Sequence, residues 1–216
     1  MPLRGIIFDL DGVLVDTVPA HFRAWRRMFA EYGYGFDFAD YRRLVDGRPR
    51  FDGARAVMVD HSDAEVRDAA ERKNAYYREM IGRGEFVVFE AALRLVDQCR
   101  ARGYALATAS SSVNVNDVLV KAGIRDAFSA VVGGDDVARG KPAPDIFLAA
   151  VRQLEIPAHE CVVIEDSVFG VRAAKAGGFR CVGLSPEAGA GFQDADLVLA
   201  THEELTIEGL EALFPD

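Results

Sequence analysis

The stretch Ile6-Ile7-Phe8-Asp9-Leu10-Asp11-Gly12-Val13-Leu14-Val15-Asp16-Thr17 decides how the rest of the chain is read. Its opening apolar run has no alternation of polar residues, so it reads as a strand covered on both faces. The run ends in two carboxylates separated by one residue, then a glycine, with a further acid close behind. Carboxylates are costly in a core unless they are paired or coordinate a cation. Asp-x-Asp after a strand also suits a turn with a helix cap, so its neighbours have to decide.

Similar short runs recur at residues 104–107, 162–164 and 181–184, with a weaker one at 130–132. Helical patterns lie between them. Residues 90–102 set Ala92, Leu95, Val96 and Cys99 on one stripe, and residues 116–122 precede a Gly123 stop. Residues 144–154 open with Pro144 and Asp145, and residues 167–176 end at Gly177-Gly178. Strand and helix alternating at this pace predict an α/β fold with an open, doubly wound, Rossmann-like parallel sheet and right-handed crossovers. Residues 17–83 break the rhythm. Phe22, Trp25, Phe29 and Tyr32 fall at helical spacing, as do Val66, Ala70, Tyr77 and Met80. The expected organisation is a catalytic core of residues 1–16 and 84–216, with an α-helical cap of residues 17–83 inserted after the first core strand. The return point is expected near Gly82-Arg83-Gly84.

Composition narrows the function. The chain has 216 residues, half of them hydrophobic, and a formal charge of −9 from 25 basic and 34 acidic residues. No basic footprint for a nucleic acid is present, and no run reaches the about 18 apolar residues of a membrane span. The N-terminus lacks the apolar length of a signal peptide. The three cysteines, Cys99, Cys161 and Cys181, are far apart and read as small buried residues of a reducing compartment. A cytoplasmic monomer is expected. His61, His159 and His202 have no partner motif and read as surface residues.

In an open parallel sheet, ligands bind beyond the carboxyl ends of the strands. Asp9 and Asp11 belong there, as do Thr108, Ser110, Ser111 and Ser112 of "LATASSS" and Glu165 and Asp166 of "VVIEDS". Lys141 of "RGKPAPD" sits in a loop before a helix. Acids, hydroxyls and one ammonium at one edge suit phosphoryl transfer. Carboxylates hold Mg²⁺, a carboxylate can be the nucleophile, and cations screen the transferred group. A second acid two residues on can move the proton of the leaving or attacking hydroxyl. "GKP" is no Walker loop, and Val13 rules out an EF-hand.

"DLDGVLVDT", "TASS", "KPAPDIF" and "VIEDSVFGVRAAKAGG" resemble the four motifs of the haloacid dehalogenase superfamily across the whole core. The resemblance implies Asp9 as nucleophile, Asp11 as acid/base, and Thr108 and Lys141 as phosphate binders. It implies Mg²⁺ held by Asp9, the Asp11 backbone carbonyl and Asp166, with Glu165 close by. The insert resembles the cap of the β-phosphoglucomutase family. Thr17, His21 and Trp25 fall at i, i+4 and i+8 on one helix face, with Thr17 and His21 expected to assist Asp11. Arg50 of "GRPR" matches a phosphate-gripping arginine, and Lys73 and Asn74 of "ERKNAYY" match substrate-facing residues. The activity implied is transfer between C1 and C6 of a hexose phosphate, β-glucose 1-phosphate to glucose 6-phosphate, with phosphorylated sugars as partners. Two departures stand out. Ser111 and Ser112 occupy the place of a lysine–asparagine pair that grips the distal phosphate, and Phe89-Glu90 replaces a proline–glycine. The first departure keeps a sugar- or polyol-phosphate phosphatase as the alternative.

Overall fold

The computed structural model describes residues 2–46, 48–186 and 191–215. The chain forms two compact units, one of Met1–Asp16 with Val87–Asp216, the other of Thr17–Phe86. Strand β1 (Gly5–Phe8) opens the first, and the two-residue β2 (Val15–Asp16) leads out of it. The second unit is helical. It comprises α1 (Val18–Glu31), α2 (Phe38–Asp40) running into a π-helical turn Tyr41–Val45, α3 (Arg50–Val57) and α4 (Asp63–Gly82). Strand β3 (Val87–Val88) re-enters the first unit. There follow α5 (Glu90–Ala101), β4 (Ala105–Ala109), α6 (Val115–Lys121), β5 (Ala130–Val132) and α7 (Asp145–Leu154). The chain closes with β6 (Cys161–Glu165), α8 (Val168–Ala176), β7 (Arg180–Leu184), β8 (Leu197–Leu199) and α9 (Ile207–Glu211).

The core sheet is parallel throughout, in the order β5-β4-β1-β6-β7-β8. Its central strands are apolar on both faces because each face carries helices. Ile7, Ala107, Val163 and Cys181 face α7 and α8 in a cluster with Phe147 and Phe179, whose rings meet edge to face at 6.0 Å. Ile6, Phe8, Leu106, Val162 and Ile164 take the alternate positions along the strands and are also fully buried. The register then positions the chemistry. Phe8 is level with both Thr108 and Ile164, so the next residue, Asp9, emerges beside Glu165. The Asp9 N–H donates to Ile164 O at 2.9 Å and keeps that alignment one residue past β1.

Periodicity missed β8 and the paired β2 and β3, because two or three residues carry no period. Val15 pairs with Val88 and Asp16 with Val87, antiparallel. The second unit extends to Phe86, past the expected return at Gly84. Glu85 explains this. Its N–H donates to Met80 O, and its carboxylate pairs with Arg23 at 2.8 Å, so the segment stays with the helices. That unit has its own core, including Trp25, Met28, Phe29, Phe36, Met58 and Val66. Helix α4 starts at a capping box, with Ser62 and Glu65 exchanging side-chain-to-backbone bonds.

Cys99, Cys161 and Cys181 are buried free thiols. Burial pushes Cys99 and Cys161 up to about 12, so neither is a thiolate near neutrality. Among the described residues no helix is long and apolar enough to cross a membrane.

Asp196, just before β8, accepts from Lys175 Nζ at 2.6 Å, Arg180 Nη1 at 3.1 Å and the Cys181 N–H at 2.8 Å. Partial burial works against its charge, but these donors outweigh it and hold the carboxyl below its ordinary value. A depressed folded pKa stabilises above the unfolded value near 4 and loses that stabilisation as pH falls through the folded value. Asp196→Asn should therefore cost about 1–2 kcal/mol in urea unfolding at pH 7. The gap to the parent should close below about pH 3.

Candidate active site

The centre of the first unit's site is one ammonium. Lys141 Nζ donates to Asp9 Oδ1 and to Glu165 Oε1, and all three side chains are nearly fully buried. The loop carrying Lys141 is bracketed by a fork-to-fork pair. Arg139 Nε and Nη2 bond Asp145 Oδ1 and Oδ2 at 3.0 and 2.8 Å, Asp145 being the first residue of α7. The Lys141 ammonium also lies 4.9 Å from the centre of the Phe147 ring.

Glu165 is fixed from its other side. Its Oε2 accepts from the Ser167 N–H and hydroxyl, each at 2.8 Å, while Ser167 Oγ caps α8 by accepting from the Gly170 N–H. A Cβ on Gly170 would stand 1.8 Å from Glu165 Oε1, so α8 needs glycine there to admit the carboxylate. Gly12 does the same for Asp166. Its φ of +80° suits glycine, and a Cβ would lie 1.9 Å from Asp166 Oδ2. Ser110 Oγ accepts from the Ser112 N–H at 3.0 Å and donates to Asp11 Oδ2 at 3.4 Å. Thr108 lies within β4 rather than after it, and its Oγ1 is buried with no hydrogen-bond partner.

The electrostatics follow from burial and crowding. Asp9 is raised to about 8, by burial first, then against Lys141 by the charges of Glu165 and Asp11. Asp166 is raised well above its ordinary value by withdrawal from bulk water and by Glu165 and Asp9, although part of its surface still meets solvent. Burial alone would lower Lys141, but Asp9 and Glu165 outweigh it and hold the ammonium above its usual value. The raised acids mark crowded oxygen donors short of positive charge, a set that suits a hard divalent cation. Among the described residues no three His, Cys, Asp or Glu side chains converge as a ready cage. Mg²⁺ does not require one, since it takes one or two carboxylates and keeps its waters. Asp9, Asp166 and the Asp11 carbonyl fit that demand. Glu165, expected among the ligands, does not, because Lys141 and Ser167 occupy both of its oxygens.

The residues expected from the helical insert lie in the second unit. Lys73 is buried and donates to His21 Nδ1 at 2.7 Å, with the Trp25 and Tyr77 ring centres 5.0 and 5.1 Å away. His21 stacks on Tyr77 at 4.0 Å. Burial and then the Lys73 charge lower its pKa well below the ordinary value, so it is a neutral acceptor at pH 7. Trp25, expected to meet substrate, is 3% exposed and stacked on Phe29, so it backs Lys73 from the core. Arg50 is paired with Glu71 at 2.8 Å. Asn74 is half-buried on α4, and Thr17 is fully buried at the start of α1. In the first unit Ser111 is exposed and Ser112 half-buried.

Sequence reading missed Ser167, Phe147, Gly170 and His202. A glycine inside a helical pattern costs about 1 kcal/mol against alanine, and that cost at Gly170 was the available signal. His202, expected to be a surface residue, is half-buried. Its Nε2 lies 3.0 Å from Gly12 O, and its ring stacks on Phe89 at 4.0 Å. His61 is half-buried with Nδ1 3.5 Å from Glu65, and His159 is exposed.

A Gly170→Ala substitution separates helix propensity from site geometry. Propensity alone predicts a gain of about 1 kcal/mol. Overlap with Glu165 predicts a net loss of about 1–3 kcal/mol in urea unfolding, and the loss is expected.

The chain is similar to known proteins over most of its length. The profile of the haloacid dehalogenase-like hydrolases matches residues 3–178. β-Phosphoglucomutase of Bacillus subtilis is 32% identical, covering 95% of this chain and 93% of its own. Fructose-1-phosphate phosphatase YqaB of Escherichia coli is 34% identical, covering 82% and 94%. A crystal structure of mutant CbbY from Rhodobacter sphaeroides in complex with xylulose-(1,5)bisphosphate superposes with a TM-score of 0.83 at 29% identity, covering 97% and 99%.

Proposed function

Because the chain belongs to the haloacid dehalogenase-like hydrolase family, as an enzyme related to both phosphomutases and phosphatases, we propose that it is a Mg²⁺-dependent phosphatase of a phosphorylated sugar, working through an aspartyl phosphate. One observation carries the reading: Asp9, Lys141 and Glu165 form a buried triad, and Thr108, whose hydroxyl is partnerless, is level on the neighbouring strand with Phe8, the residue before Asp9. The relatives support the substrate class, since one is named for fructose 1-phosphate and another binds a sugar bisphosphate.

In the first half-reaction an Asp9 oxygen attacks phosphorus and the ester P–O bond breaks. Asp11 gives its proton to the departing alkoxide. In the second, water attacks the phosphoaspartate, Asp11 takes the proton, and inorganic phosphate leaves. Lys141 holds Asp9 in place before attack and offers its charge to the phosphoryl oxygens during it. The Thr108 hydroxyl donates to one of those oxygens, and Ser110 keeps the Asp11 carboxyl oriented. Bound Mg²⁺, held by Asp9, Asp166 and the Asp11 carbonyl, supplies charge neutralisation for an anionic nucleophile meeting an anionic ester.

Hydrolysis ranks ahead of mutase turnover because of the distal phosphate. A mutase has to retain a bisphosphate intermediate at both ends. Here serines replace the gripping lysine–asparagine pair, Arg139 is committed to Asp145, and Asn116 accepts from Arg125. A second reading, a β-phosphoglucomutase-like mutase, is favoured by Lys73 against His21 with Trp25 behind it.

One assay separates the two. The protein is given β-glucose 1-phosphate with a trace of the 1,6-bisphosphate, and glucose 6-phosphate and free phosphate are both read. Free phosphate without glucose 6-phosphate is expected, and the converse establishes the mutase. Asp9→Asn should lower turnover of any phosphate ester by at least about 10³-fold and abolish acid-stable trapping of phosphate on the protein. Lys73→Met should raise KM for sugar phosphates about tenfold and leave p-nitrophenyl phosphate hydrolysis within about twofold of the parent. Equal losses on both substrates would remove Lys73 from sugar recognition.

A further inference from the structure

His202 lies on the 3-10 turn His202–Glu204 after β8, far along the chain from the catalytic loop, yet its Nε2 is 3.0 Å from the carbonyl oxygen of Gly12. A carbonyl only accepts, so the imidazole carries its proton on Nε2 and donates. The ring is held flat against Phe89, 4.0 Å away and 21° from parallel. Phe89 is in turn fixed to the same loop, its N–H donating to Leu14 O at 3.0 Å. Phe89 stands where the family resemblance has a proline–glycine pair, neither of which offers an aromatic ring.

The loop that His202 touches carries the proposed acid. Leu14 N–H and Val15 N–H both donate to Leu10 O, and the Gly12 N–H donates to Val15 O at 2.7 Å. Peptide planarity couples these groups. The Gly12 N–H fixes the Asp11–Gly12 peptide, so the Asp11 carbonyl points the opposite way, and the His202 bond fixes the next peptide. Gly12, at φ +80°, has the least steric resistance to a peptide flip of any residue type. It also lies under Asp166, so its movement reaches both Asp11 and Asp166.

We infer that His202 is a positioning residue for proton transfer by Asp11. It clamps the Gly12 peptide through an Nε2–H···O bond and is itself held by stacking on Phe89. The inference rests on the phosphoryl-transfer reading above for its kinetic consequence, but not for the clamp itself.

The test uses His202→Phe, which keeps a ring against Phe89 and deletes the donor, and His202→Gln, whose Nε2 can restore the donor without a ring. Amide hydrogen exchange over residues 10–15 reads the clamp without any turnover. Exchange there should speed up about tenfold in His202→Phe and return to within about threefold of the parent in His202→Gln. The second arm compares kcat/KM for an alkyl phosphate, fructose 1-phosphate, with that for p-nitrophenyl phosphate, whose phenolate leaves without being protonated. In His202→Phe the alkyl ester should lose about tenfold and the aryl ester less than about twofold, with partial recovery in His202→Gln. Unchanged exchange in His202→Phe overturns the clamp. Changed exchange with equal losses on both esters overturns the role in proton transfer. A parent that releases no phosphate from either ester overturns the functional reading instead, and the exchange arm still decides the clamp.

Discussion

The site depends on one lysine ammonium shared between two carboxylates. Removing three charged groups from water costs several kcal/mol for each ion, recovered only where geometry and further hydrogen bonds are good. Much of the surrounding structure supplies that geometry. The β1–β6 register brings Asp9 level with Glu165. Ser167 satisfies the second oxygen of Glu165, and Gly170 yields the space the carboxylate occupies. The Arg139–Asp145 fork holds the loop that delivers the ammonium. Asp11 and Asp166 add further carboxyl oxygens near the triad, and crowding among these acids contributes to raising Asp9 and Asp166.

The second unit handles its buried lysine differently. Lys73 meets a neutral imidazole nitrogen and two aromatic ring systems. A lysine held between carboxylates is committed to keeping those carboxylates in place. In the proposed reading the parallel-sheet unit carries the chemistry and the helical unit carries sugar recognition. Relatives named as a mutase and as a phosphatase both align along most of this chain, so activity is read from the site rather than from the fold.

Legibility from the sequence followed the range of the interactions. β5 was read to the residue, and the longer strands to within two, because a doubly covered strand has to be apolar throughout. Asp9, Asp11 and Asp166 were readable as acids where apolar runs stop, and Lys141 as an ammonium in the loop before a helix. Glu165 was located, but not its partner. As a lone residue in sequence it suits a cation as well as it suits Lys141, and only the Ser167 and Lys141 contacts assign it. Trp25 carried a similar ambiguity, since helical spacing marks a buried face without saying whether a ligand or the core covers it. His202 could not be read at all, because its partner Gly12 lies at the other end of the chain.

The amino-acid order by itself determined the parallel α/β core, the helical insertion and the acids and ammonium at one sheet edge. These follow from local periodicity and from the rule that charge appears where buried strands end. The tertiary structure decided which of those groups pair with one another. It gave Glu165 to Lys141, buried Trp25 behind Lys73, left the Thr108 hydroxyl partnerless and brought His202 onto Gly12. Hydrogen-bond partnership is fixed by distances of about 3 Å between residues distant in the chain, and no spacing along a sequence encodes it.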